Sequence, residues 1–372
     1  MRTFGIEEEL MLVDPGSGAT VPVAGQVMDL YARSGSPMIN PGAGVPAVAL
    51  THEFVHEQIE TATAVHTTLN GLTRDIVAGR ARADALARQV GARAVALGTA
   101  PLPAELHTVR LPRFEAIRNR MGLTAVQQLT CACHVHVGIE SPEEGVAVLD
   151  RIRVWLPILA ALSANSPFWH GTDTGYASFR TQLWGRWPTT GPTEIFGSAD
   201  AYRRLVRNLL TTGVLLDEGM VYFDARLSRN YPTVEIRVPD VCLTVNNAVL
   251  IAALARALVE TAARQWRSGQ PPPVMPAPLL KLASWQASRH GVEADLLHPL
   301  EARPGPAKDI ISLLLNRTLP ALADAGDDAR TEELLKALLR RGTGSSEQRN
   351  AYKDTRSFTA VVAEALKHTG TG

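Results

Sequence analysis

The chain has 372 residues, 45% hydrophobic and 20% charged, with 37 basic and 37 acidic side chains and a formal net charge of zero. This is globular composition; it excludes a disordered chain and leaves no surplus positive charge for nucleic acid. Only five of the 37 basic residues are lysines, none before Lys281 and none preceded by glycine, so a P-loop is excluded and phosphate chemistry must rest on arginine, metal or backbone amides. The three cysteines, Cys131, Cys133 and Cys242, are too few for a disulfide framework and fit a reducing compartment. The charged start MRTFGIEEEL lacks a signal-peptide core, and the most apolar stretches, 154–164 and 248–263, are short or interrupted by Pro157, Arg256 and Glu260. A soluble cytoplasmic protein without membrane or nucleic-acid partners is expected.

Thr3–Val13 alternates and ends in Asp14-Pro15-Gly16, which predicts a strand turning into a hairpin. Residues 32–47 are rich in Gly, Pro and Ser and read as a loop. One or two strands follow over His52–Thr63, then a helix from about Val65 to Val90 with Gly91 after its end, then a short strand over Ala94–Gly98. Gln127–Ile139 is a strand. Ser141-Pro142-Glu143-Glu144 opens a helix expected to reach about Asn165, with Ser at the cap, Pro at the first position and acids in the first turn. Tyr176–Thr190 reads as strand and loop, Ala199–Thr211 as helix, Met220–Ser228 and Thr233–Pro239 as strands, and Val245–Trp266 as a long helix. Residues 277–368 read as helices only. The expected organisation is an α+β catalytic body over 1–270 and a helical closing segment over 271–372 of the same domain.

Period two puts Glu7 and Glu9 on one face of the first strand and Glu8 with Phe4, Ile6 and Leu10 on the other. Two like charges side by side repel unless a cation lies between them, so this face is either an acidic edge in water or half of a metal site. Glu53 and Glu60 flank a short segment that alone proves nothing. In Thr130–Gly138, His134 and His136 share a face, while Cys131, Cys133, Val135 and Val137 share the opposite, buried one; the cysteines therefore neither pair with each other nor join the histidines on zinc. Glu235 and Arg237 alternate with Val234, Ile236 and Val238, and Asp224 and Arg226 repeat the pattern upstream. Each segment has a plain structural explanation. Together they gather five or more carboxylates, two histidines and several arginines on the strands of one body. Such oxygen-rich sets suit Mg²⁺ or Mn²⁺, and carboxylate-held metal with nearby arginine is one way to manage phosphoryl transfer without a P-loop.

Five segments in this order, GIEEEL (5–10), LTHEFVHEQIETAT (50–63), TCACHVHVG (130–138), LSANSPFWHGTDTGYASFR (162–180) and PTVEIRVPD (232–240), resemble the carboxylate–amine ligases called glutamate–cysteine ligase type 2. The resemblance is strong over about 3–270 and looser beyond. It implies a glutamine synthetase-like fold: a curved antiparallel sheet forming a funnel, helices on its outer face and a helical C-terminal part. It also implies ATP with Mg²⁺ (or Mn²⁺) as cofactors and amino acids as substrates, and amide formation through an acyl phosphate, with glutamate and cysteine as the default pair. By motif match, Glu7, Glu9, Glu53, Glu60, His134 and Glu235 fall on metal-binding positions. His136 faces nucleotide or substrate, Arg237 contacts the substrate carboxylate or the transferring phosphate with Glu235 beside it, and Arg180 and Arg226 bind substrate or phosphate. The resemblance leaves open the amine, the proton acceptor, the adenine contacts and whether the protein is a homo-oligomer. A metal-dependent hydrolase built on His134 and His136 is the second reading, disfavoured because the downstream strands carry Glu and Arg where such an enzyme places further histidines. A non-catalytic small-molecule binder on the same scaffold is the third; every expected site residue being present counts against it.

Overall fold

The computed structural model describes residues 1–34 and 48–370. The first half of the chain runs β1 (Phe4–Val13), α1 (Ala24–Arg33), β2 (Ala49–His52), β3 (Gln58–Ala62), α2 (Leu69–Gln89), β4 (Arg93–Val95), α3 (Pro112–Met121), α4 (Leu123–Val126), β5 (Cys133–Gly138), α5 (Pro142–Ile152) and α6 (Leu156–Ser163). It continues with β6 (Phe168–Trp169), β7 (Thr172–Asp173), α7 (Phe179–Trp184), α8 (Ala199–Thr211), β8 (Ala225–Leu227), β9 (Thr233–Ile236) and α9 (Val245–Arg267). The last part comprises α10 (Ala277–His290), β10 (Asp295–Leu297), β11 (Pro304–Pro306), α11 (Ala307–Ala325), α12 (Asp328–Arg341), α13 (Gly344–Thr355) and α14 (Phe358–Thr369).

One seven-stranded antiparallel sheet organises the molecule, in the order β2-β3-β1-β5-β9-β8, with β4 paired to the end of β1. Alternation decides its two faces. Ile6, Leu10, Cys133, Val135, Val137, Val234 and Ile236 are buried on one side, where α2, α5 and α9 pack. All three cysteines are buried and free. Helix α9 is long and apolar enough to cross a membrane by composition, but 83% of its most apolar window is buried within this protein. It packs on β1, β5, α2, α5 and α11 and is the central helix of the core.

Several expectations are corrected. The first strand does not turn into a hairpin: after Asp14 the chain makes a single bridge, Val13 to Thr20, and then forms α1, whose last residues take up the first positions of the expected loop. The rest of that loop, 35–47, lies outside the described residues. The helix opened by Ser141, whose side chain accepts from the Glu144 amide, stops at Ile152; Pro157, lacking an N–H, sits in the first turn of the separate helix α6. The segment around Arg180 is helical, not a strand, and Met220 ends a 3₁₀ turn (Glu218–Met220) before the short β8. The last hundred residues are not purely helical, because β10 and β11 form a two-stranded ribbon. Ile310, Ile311, Leu314 and Leu322 of α11 lie in the same buried cluster as α9 and β5.

Glu8, alone among charged residues on the apolar face of β1, has a partner that sequence did not reveal. Arg80 of α2 meets it with Nε at 2.9 Å and Nη2 at 2.6 Å. Its other hydrogens go to the carbonyls of Cys242 (2.7 Å), Leu243 (3.1 Å) and Thr369 (2.8 Å), so all five N–H groups of a fully buried guanidinium are satisfied.

Candidate active site

Strand register converts the sequence alternation into a cluster. Glu9 stands opposite Glu60, Glu7 opposite His134, and His136 opposite Glu235, which in turn faces Arg226. Glu53 joins from the turn after β2, and Arg237 follows β9. Together with Arg180 on α7, all ten residues expected from sequence line one cavity of about 620 Å³. Asp224 does not line it.

Among the described residues, three groups of side chains bring their donor atoms within 4.8 Å of one another: Glu7, His136 and Glu235; Glu7, Glu60 and His134; Glu9, Glu53 and Glu60. The Glu7 carboxylate lies 3.4 Å from His136 Nε2 and 3.7 Å from His134 Nδ1. His136 Nδ1 is fixed by Thr233 Oγ1 at 2.9 Å, and the Nε2 atoms of both histidines are buried without a hydrogen-bond partner among the described residues. Orphaned imidazole nitrogens beside clustered carboxylates are the donor set of a divalent cation, so the residues present fit Mg²⁺ or Mn²⁺. His136, expected to face nucleotide or substrate, belongs to one of these groups.

Electrostatics divides the cluster in two. At one end, burial pushes Glu60 well above the usual carboxylate range, and the charges of Glu7, Glu53 and Glu9 add to it; burial and Glu9 push Glu53 up to about 8. At the other end arginine and histidine overcome burial. Glu235 is held well below the normal range by Arg237 and Arg226, and Glu7 is held low by His136 and His134. Burial and Arg237 lower His134, whereas Glu7 outweighs burial and raises His136. Arg226 grips Glu235 with two bonds (2.7 and 3.1 Å) and donates to the carbonyls of Val221 (2.8 Å) and Gly219 (3.2 Å), leaving one hydrogen for the cavity. Arg237 also bonds Glu235, and its Nε is buried without a partner among the described residues. Its guanidinium stands 5.9 Å from the Trp184 ring centroid and 5.8 Å from that of Tyr222.

The pattern of glutamate-cysteine ligase family 2 matches residues 3–364. The chain belongs to this family. As a member it is an ATP-dependent ligase that forms a C–N bond. A Paenarthrobacter aurescens (strain TC1) protein bearing the provisional name glutamate–cysteine ligase 2-1 is 51% identical over 369 residues, covering 99% of this chain and 95% of that one. A Streptomyces coelicolor relative with a similar provisional name is 46% identical, covering 99% of each. Among solved structures, the glutamate–cysteine ligase of Francisella tularensis in complex with AMP superposes with a TM-score of 0.68 at 12% identity, covering 99% of this chain and 88% of that one. A bifunctional glutathione synthetase from Pasteurella multocida gives the same score at 16% identity, covering 99% of this chain and 52% of that one. These likenesses establish a glutamine synthetase-like α+β fold for this family member.

Sequence reasoning missed the cavity's other walls. Phe54 and Phe114 meet edge to face with ring centroids 5.6 Å apart, and Trp184, Trp187 and Tyr222 form a second aromatic group. At the rim Arg113 of α3 makes two bonds to Asp217, at 2.7 and 2.9 Å. The density of aromatics and arginines in 176–190 was the available signal; α3 carried none. Tyr231 stands edge-on to His136 with centroids 6.2 Å apart. It lies between the main cavity and a second, mostly apolar one of about 200 Å³ lined by Phe4, Ile6, Val65 and Pro232, with Glu7 and His136 shared by both.

Proposed function

We propose that this ligase joins a glutamate carboxylate to an amine, with cysteine as the default acceptor, through an acyl phosphate formed from ATP. The observation that carries the reading is the run of three linked carboxylate and histidine groups along one sheet face, ending beside the buried Arg237. In this reading the donor carboxylate attacks the γ-phosphorus, ADP leaves, and the amine then displaces phosphate and loses a proton. Glu7, Glu9, Glu53, Glu60, His134, His136 and Glu235 would hold Mg²⁺, which supplies charge neutralisation for the phosphates.

Arg237 stabilises charge that develops on the transferred phosphoryl oxygens, an electrostatic role that lysine fills in P-loop enzymes. Arg226 orders Glu235. The apolar cavity beside Tyr231 accepts the nucleotide ring, which lets the phosphates pass Glu7 and His136 toward Arg237. The aromatic wall of Phe54, Phe114, Trp184 and Tyr222 excludes water from the amine's approach. A cytoplasmic setting, where ATP and reduced thiols are available, fits three buried free cysteines.

The test is incubation of the protein with ATP, Mg²⁺, L-glutamate and hydroxylamine, measuring ADP and hydroxamate together, followed by cysteine and a panel of amines. Glutamate-dependent hydroxamate in step with ADP is expected. No ADP release with glutamate or any other carboxylate refutes the reading.

A further inference from the structure

We propose that Asp240 is a positioning residue that fixes Arg180 as a binding group for the substrate carboxylate. This rests on the ligase reading above. Asp240 ends the PTVEIRVPD segment, is 1% exposed and does not line the cavity. Its Oδ2 accepts from the Asn165 amide (2.9 Å) and the Ser166 hydroxyl (2.7 Å), and its Oδ1 from the Ser178 hydroxyl (2.8 Å). Ser166 Oγ in turn accepts from the Arg180 amide at 3.0 Å. One carboxylate therefore pins both ends of the chain between α6 and α7, the excursion that delivers Arg180 to the cavity. Three converging donors require both oxygens as acceptors, although burial pushes the Asp240 carboxyl up.

The Arg180 guanidinium is held from behind. Nη1 donates to the Val238 carbonyl (3.2 Å) and lies 3.7 Å from Asp240 Oδ1; Nη2 donates to the Arg237 carbonyl (3.1 Å). Its Nε is buried without a partner among the described residues, and the residue lines the main cavity. A buried unpaired donor on a charged group is costly unless a ligand completes it. The ligand that suits it is a carboxylate, which satisfies charge and hydrogen bond together. Arg180 also holds the backbone of Arg237, so the two cations are set relative to each other.

Asp240→Asn separates positioning from folding. The amide oxygen can face the Asn165 and Ser166 donors while its NH₂ faces Ser178 Oγ, whose hydroxyl turns to Thr181 Oγ1 at 2.9 Å. The loop keeps its bonds, and Arg180 alone exchanges a carboxylate for a neutral donor. The expected result is a rise of about tenfold in KM for glutamate, the loss of one charge-assisted contact, with the KM for ATP unchanged. Arg180→Lys, with Asp240 intact, should give the same selective rise. In the double variant the two effects should not multiply, because one acts through the other.

Equal rises for both substrates, or effects that multiply in the double variant, overturn the proposal. Calorimetry of glutamate binding without ATP reads the same contact independently of turnover. Wild-type protein that binds glutamate but releases no ADP refutes the ligase reading while Asp240→Asn still tests this one. Wild-type protein that binds no carboxylate overturns it.

Discussion

Replacing Arg80 with Met tests whether the buried Glu8–Arg80 pair holds the core together. Methionine keeps the unbranched chain and removes the guanidinium. Glu8 is then a carboxylate with 2% side-chain exposure and no cation, and the carbonyls of Cys242, Leu243 and Thr369 each lose a charged donor. Stranding one member of a buried pair costs about 3–5 kcal/mol, and the three carbonyls place the loss at or above the top of that range. Against a total stability of roughly 5–15 kcal/mol this is severe. Urea denaturation followed by tryptophan fluorescence should show a large drop in midpoint. Replacing both residues, Glu8→Leu with Arg80→Met, removes the stranded charge and should recover part of the loss. An Arg80→Met protein within about 1 kcal/mol of wild type, or a double variant less stable than the single one, would refute the reasoning.

Glu235→Gln preserves shape but removes the charge that Arg226 and Arg237 surround; ADP release per folded protein should fall by about 100-fold or more, and unchanged turnover would exclude Glu235 from the chemistry. Tyr231→Ala should raise the KM for ATP by about tenfold through lost ring stacking and leave the KM for glutamate alone; an unchanged ATP KM would move the nucleotide elsewhere. Asp224 is raised to about 7 by burial, so between about pH 4 and 7 the folded state binds more protons than the unfolded chain and stability falls as pH rises. Asp224→Asn should therefore gain stability relative to wild type at pH 8 and show no gain at pH 4 in parallel melts.

The strands were legible where one face is apolar and the other carries function. Glu7, Glu9, His134, His136 and Glu235 announced themselves through strict period two, because each strand packs against helices on one side only. Their register was not legible: that Glu7 faces His134 and His136 faces Glu235 depends on pairings between strands about a hundred residues or more apart. The helix cap at Ser141 was readable because capping is local. The segment around Arg180 misled because its aromatics suggested strand propensity, whereas its path is set by Asp240, some sixty residues downstream. Arg80 was invisible for the same reason. It sits in an ordinary amphipathic helix, and only tertiary packing turns it into the partner of Glu8.

The sheet order has a consequence for synthesis. β1 is translated first, yet one of its neighbours, β5, lies over a hundred residues later, and β9, which covers the far side of β5, begins only at Thr233. Until then a growing chain carries β5 as an open edge, the kind of exposed pairing surface that invites association between chains. β1 and its other neighbour, β3, hold Glu7, Glu9 and Glu60 on the face that later becomes the cavity. In the unfinished sheet those carboxylates, with no arginine from β8 or β9 yet beside them, give it a strongly negative face that repels its copies.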